Sequence, residues 1–151
     1  MNILNRIKFG SFLRSITINK IDTLSGLEFE KFVAEFFDYL GYKTELTVTS
    51  GDNGIDIIAK SRHYSIGIQA KLYYNHNVNN KAIQEVYSGK NYYDLDYAIA
   101  ITNWKFSAPA LNLAKTLKVG TIDRKGLEHM LHNNRKKNVE YIKSILEGIS
   151  E

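Results

Sequence analysis

At 151 residues, with 44% hydrophobic and 24% charged positions, the chain has the balance of one folded domain with a proper core, which excludes a disordered segment. It contains no cysteine, so disulfides, cysteine-based zinc sites and thiol catalysis are excluded. A net charge of +4 leans weakly towards a polyanionic partner, while no apolar run approaches the ~18 residues that span a bilayer and no secretory pattern opens the chain, so a cytoplasmic protein without a membrane partner is expected.

Residues 1–13 predict a short amphipathic helix with Ile3, Leu4, Ile7 and Phe12 as its apolar residues, a packing arm without chemistry. Ser25-Gly26-Leu27-Glu28 fits a capping box, in which Ser25 and Glu28 satisfy each other's orphan amides. The helix that follows carries Phe29, Phe32, Val33, Phe36, Phe37 and Leu40 at helical spacing, and Gly41 ends it. Residues 45–49 alternate and read as a strand, residues 50–54 as a turn. Residues 55–60 and 64–73 are the arms of a hairpin turning at Ser61-Arg62-His63.

A polar loop over 74–80 leads to a helix over 81–93 with Ile83, Val86 and Tyr87 inward. Residues 97–102 form an apolar strand buried on both faces. Ser107 caps a helix through Leu117, with Pro109 tolerated in its first turn, and a short strand covers 119–122. A helical tail begins at 126–131, breaks at Asn133-Asn134 and resumes over 139–146. Strands separated by helices imply an α/β fold, a mixed sheet with helices on both faces.

The chemistry concentrates in the hairpin. Gln69 and Lys71 are two apart on one strand and share a face, opposite the apolar Ile66, Ile68, Ala70 and Leu72. An antiparallel partner brings Asp56 beside them. A carboxylate, an amide oxygen and an ammonium at one point are poor core chemistry, but they suit a divalent cation and a water held against a phosphate. Gly67, on the same face, is expected to leave room near the metal. No Ser-His-Asp grouping, glycine-rich phosphate loop or Cys/His set competes with this site.

These elements resemble the nucleases of the PD-(D/E)xK fold, and within them the Mrr branch of restriction endonucleases. The matching pieces are Gly26-Leu27-Glu28-Phe29-Glu30, Gly41-Tyr42, Gly51-Asp52-Asn53-Gly54-Ile55-Asp56, Gln69-Ala70-Lys71, Ile101-Thr102 with Phe106-Ser107 and Ala110, and Ile122-Asp123 with Leu127, over residues 24–131. The Pro that names the wider fold is replaced by Ile55, and Gln69 stands at the middle acid position, as is usual in the Mrr branch. The resemblance implies a three-layer α/β/α restriction-endonuclease-like fold around a central mixed β-sheet. It also implies a DNA endonuclease that depends on Mg²⁺, with Mn²⁺ able to substitute. Residues 1–23 would be an arm, 24–132 the nuclease domain and 133–151 a helical tail packed on it.

On that basis Asp56 is the leading metal ligand and Glu30 the second carboxylate, against the alternative that Glu30 lies on a solvated helix face. Glu28 is occupied by its cap. Gln69 offers its amide oxygen to the metal or positions the nucleophilic water, and the carbonyl of Ala70 supplements it. Lys71 orients that water or helps deprotonate it and stabilises charge in the transition state, against the alternative of a surface lysine on an edge strand. Asp52 shapes the turn. Gln84 rather than Glu85 is expected at the site rim. Arg62, Tyr73, His76, Lys81, Gln84 and Lys105 are the DNA-contact candidates, with Lys60, Lys90 and the Arg135-Lys136-Lys137 cluster adding basic surface, and Trp104 either stacks on a base or packs beneath its loop. Cutting both strands with one site per chain calls for a homodimer or successive nicking. No recognition domain is visible, so a separate recognition subunit stays open. A junction resolvase or nickase, and a catalytically silent nucleic-acid-binding module, are the rival readings.

Overall fold

The computed structural model describes residues 1–47 and 53–151. Twelve elements lie among them. They are α1 (Ile3–Ser15), α2 (Ile18–Ile21), α3 (Gly26–Leu40), β1 (Lys43–Leu46), β2 (Ile57–Lys60), β3 (Ser65–Lys71), α4 (Asn80–Tyr92), β4 (Tyr97–Thr102), α5 (Ala108–Leu117), β5 (Gly120–Ile122), α6 (Arg124–His132) and α7 (Arg135–Ser150). The sequence missed α2, which is a single turn capped by Thr17. The end of the strand expected over 45–49, and most of the turn with Asp52, fall outside the described residues.

Local chemistry sets the helix ends. The Ser25–Glu28 capping box closes the start of α3 at 2.9 and 3.1 Å, and Gly41 ends it with φ +109°, a conformation that costs glycine little. Ser107 caps α5 through its Oγ, 3.2 Å from the Ala110 amide. Arg135, expected as part of a basic surface cluster, instead lays its guanidinium on the carbonyls of Tyr39 and Leu40, at 2.6 and 3.3 Å, and so satisfies the last turn of α3.

The sheet runs in the order β1-β2-β3-β4-β5. The first three strands are antiparallel, and β3, β4 and β5 are parallel, joined by crossovers through α4 and α5. Two cores flank it. Ile57, Ile66, Ile68, Ile99 and Ile101 face α3 and the terminal helices, and Ile58, Ala98 and Ala100 face α4 and α5. This is the α/β sandwich with a mixed sheet that alternating burial predicts. In α1 the sequence pattern misled. Phe9 and Leu13 turn inward, Phe9 against Phe32, Phe36 and Tyr39, while Ile3, Leu4, Ile7 and Phe12 are exposed. Apolar residues ring this helix, so periodicity alone does not select its buried face. No helix among the described residues is long and apolar enough to cross a membrane.

Candidate active site

Asp56 enters from the stretch just before β2 with its backbone held on both sides. Its N–H donates to the carbonyl of Ile68 at 2.8 Å, and its own carbonyl accepts from the Thr47 amide at 2.9 Å. The β2–β3 register pairs Ile57 with Ile68, which places Asp56 opposite Gln69. The Oδ2 of Asp56 accepts from the Ala70 amide at 2.8 Å, so the carboxylate is fixed against the strand that carries Gln69 and Lys71.

On β3 the alternation is as the sequence requires. Ile66, Ile68 and Ala70 join the core on the α3 side, whereas Gln69 and Lys71 meet Glu85 of α4. Gln69 is 3% exposed. Its Nε2 donates to Glu85 Oε2 at 3.0 Å, and its buried Oε1 has no partner among the described residues. Lys71 Nζ lies 3.8 Å from the same Oε2, and Lys81 Nζ lies 3.8 Å from Oε1 of that carboxylate.

Glu30 comes from α3, across the sheet from α4. Partial burial raises its pKa above the usual carboxylate range, the Asp56 charge raises it further, and Lys71 opposes both. The side chain is half-buried, and the charges of both Asp56 and Lys71 act on it. Glu28 is fully engaged in its cap.

The donor set fits a hard divalent cation. It offers two carboxylates, a buried amide oxygen lacking a partner among the described residues and a neighbouring backbone carbonyl at Ala70, all oxygen. Among the described residues no three His, Cys, Asp or Glu side chains cluster as a metal site, so neutral oxygens and water would complete the coordination. That pattern suits Mg²⁺, which keeps several waters.

Several expectations are corrected. Gly67 does not make room for a metal: a Cβ there would stand 2.6 Å from Ile55 Cδ1 and 2.8 Å from Leu95 Cδ1, so it admits core side chains. Glu85, beyond the rim position expected for Gln84, also reaches Gln69 and Lys71; Gln84 is exposed beside it, on the wall of a groove of about 450 Å³ lined also by Asn53, Lys81, Glu85, Ser88 and Tyr92. Arg62 and Lys60 sit at the β2–β3 turn, separated from Lys71 by the length of β3, roughly 20 Å. Lys90 lies over Tyr87 at that same far end, near Asp96 and Tyr97. Trp104 packs half-buried under the Arg124 guanidinium, 5.9 Å away.

The other DNA-contact candidates lie at the site's end of the sheet. Tyr73 and His76 stack on each other at 4.1 Å, His76 is exposed, and Lys81 is largely exposed at the start of α4. Lys105 is exposed between β4 and α5 and holds the Val78 amide on its carbonyl at 2.8 Å.

Sequence reading missed a polar clasp behind these loops. Arg124 grips Asp22 bidentately at 2.8 and 2.9 Å and donates to the Asn103 carbonyl at 3.0 Å. Asn103 Nδ2 reaches Asp22 Oδ1 at 3.0 Å, and the Tyr74 hydroxyl donates to the Asp22 carbonyl. The guanidinium holds the Asp22 carboxyl below the ordinary carboxylate range. The one sequence signal for this cluster is an Asn directly after a buried apolar strand.

Comparison with known proteins agrees with this fold. Residues 21–131 match the family model of the Mrr catalytic domain, described as a restriction endonuclease. Among solved structures, the DNA modification-dependent restriction endonuclease AspBHI superposes with a TM-score of 0.60 at 15% identity, covering 99% of this chain and 41% of that one. A protein of unknown function, AF1548, superposes with a TM-score of 0.57 at 18% identity, covering 78% of this chain and 77% of that one. At these identities the likeness is one of fold. No match is found among curated proteins. With 111 of its residues under that family model, this chain belongs to the Mrr-type restriction endonuclease family.

Proposed function

We propose that the protein is a Mg²⁺-dependent DNA endonuclease that hydrolyses a phosphodiester bond with an activated water, using Glu30, Asp56, Gln69 and Lys71. The observation that supports this reading is Asp56, whose Oδ2 is fixed on the Ala70 amide at 2.8 Å, on the strand that carries Gln69 and Lys71.

Each residue has a distinct task. Asp56 and Glu30, with Gln69 Oε1 and the Ala70 carbonyl, would hold the cation, which when bound polarises the phosphate and lowers the pKa of its water. Lys71 Nζ would donate to a non-bridging phosphate oxygen and stabilise the charge that builds there in the transition state. Gln69, if turned to water instead, would accept its hydrogen bond and aim it. Lys81, Lys105, Tyr73, His76 and Gln84 would hold the flanking strand, the lysines through phosphates and the rings through stacking. A homodimer would let two such sites cut both strands.

The experiment is cleavage of supercoiled, linear, methylated and branched DNA with Mg²⁺, Mn²⁺ or chelator, by wild type and Asp56→Ala. Cutting should require the metal and vanish in Asp56→Ala, while DNA binding survives because the basic surface is intact. Undiminished cutting by Asp56→Ala, or in chelator, refutes the assignment.

A further inference from the structure

Glu85 stands where three parts of the site meet. One oxygen of its carboxylate accepts from Gln69 Nε2 at 3.0 Å and lies 3.8 Å from Lys71 Nζ. The other lies 3.8 Å from Lys81, one turn earlier on α4. Its backbone carbonyl underlies Gly54, where a Cβ would stand 2.0 Å from that oxygen. Gly54 adopts φ +74° and precedes Asp56 by two residues. A single helical position thus touches the amide, the ammonium and the turn that delivers the carboxylate.

The amide of Gln69 has two ends of opposite chemistry, and a half-turn exchanges them. Glu85 is an acceptor only, so it selects the nitrogen and leaves the oxygen facing the other way. That oxygen is buried without a partner among the described residues, a costly state unless another group uses it. With the amide reversed, an N–H pair would face the place where a cation or a water proton needs an acceptor. The two lysines meanwhile balance the Glu85 charge and anchor its carboxylate on α4.

We propose that Glu85 is a positioning residue, which sets the Gln69 amide with its oxygen towards the Asp56 site and holds Lys71 beside it. The proposal rests on the metal-dependent hydrolase reading above. Partners that orient metal-binding groups are typically worth about 10–100-fold in affinity or activity.

The test measures Mn²⁺ binding by calorimetry, and DNA cleavage in single turnover, for wild type, Glu85→Ala, Glu85→Gln, Gln69→Ala and the double variant Glu85→Ala/Gln69→Ala. Glu85→Ala should weaken Mn²⁺ by about tenfold or more and slow the chemical step, with DNA affinity in chelator unchanged. Glu85→Gln still offers an acceptor to Gln69 and should retain most of the Mn²⁺ affinity. Because Glu85 acts through Gln69, the double variant should bind Mn²⁺ no worse than Gln69→Ala. If Glu85→Ala does not fold, Glu85→Met keeps the stem without the acceptor and takes its place. Unchanged Mn²⁺ affinity in Glu85→Ala, or losses that multiply in the double variant, overturn the proposal. If Asp56→Ala and Gln69→Ala also leave Mn²⁺ affinity unchanged, the metal-site reading fails and the role of Glu85 with it. If those two weaken binding and Glu85→Ala does not, only Glu85 is misassigned.

Discussion

Asn103 holds the backbone of Tyr73 by both of its polar groups: its Oδ1 accepts from the Tyr73 amide at 2.8 Å, and its Nδ2 donates to the Tyr73 carbonyl at 3.1 Å. The β3–β4 ladder ends with Lys71 opposite Thr102, and this side chain continues it beyond the last backbone pair. Lys71 therefore sits inside an anchored strand and not at a fraying end. Asn103→Ala would leave a Tyr73 amide and the Asp22 carboxylate short of partners, and should destabilise the protein by about 1–3 kcal/mol. Urea denaturation checks the loss, and DNA cleavage should weaken with it. An unchanged denaturation midpoint would show that water replaces the clasp.

The Asp22–Arg124 pair makes stability pH-dependent in a defined direction. The folded pKa of Asp22 is lowered, first by the hydrogen bond from Arg124. Its contribution is therefore fully present above the unfolded value of about 3.9, and is lost as pH falls through the folded pKa. Arg124→Met should lower stability near neutral pH and flatten the acid limb below about pH 4. Thermal melts from pH 3 to 7 compare the two proteins; parallel curves would rule the pair out as a source of the acid sensitivity.

Gln69→Glu keeps the shape of the side chain but sets a second carboxylate against Glu85, where an amide now donates at 3.0 Å. In chelator the variant should lose at least ~2 kcal/mol, because a buried charge meets another of the same sign. Mg²⁺ should recover part of this, since the added charge also strengthens the cation site. Melting curves with and without Mg²⁺ should thus show a larger metal-dependent shift than wild type. An equal shift would place position 69 outside the metal's reach.

Gly89 lets the stretch before Asp56 lie directly on α4. A Cβ there would stand 2.0 Å from the Asn53 carbonyl oxygen and 2.6 Å from Ile55 Cγ1. Gly89→Ala should cost about 1–3 kcal/mol by overpacking, despite alanine's better helix propensity. It should also reduce cleavage, since the displaced stretch leads into Asp56. A stabilised, fully active variant would contradict the close approach.

What the sequence determined by itself is the part of the molecule governed by short-range rules. Ser25 and Glu28 are three residues apart and close their own helix start; Gly41 ends that helix; the period-two pattern of β3 puts Gln69 and Lys71 on one face. The matching of Asp56 to that face needs only a hairpin register. The tertiary structure alone decided which side chain answers them from the next helix. Glu85 and Gln84 are neighbours in sequence, and only the rotation of α4 on the sheet gives the contact to Glu85. The same holds for the two-sided apolar α1, whose buried face is chosen by the aromatic cluster of α3. It holds too for the clasp that joins Asp22 to Asn103 and Arg124, 81 and 102 residues onward, because no local period encodes a bond between segments that meet only after the sheet has closed its crossovers.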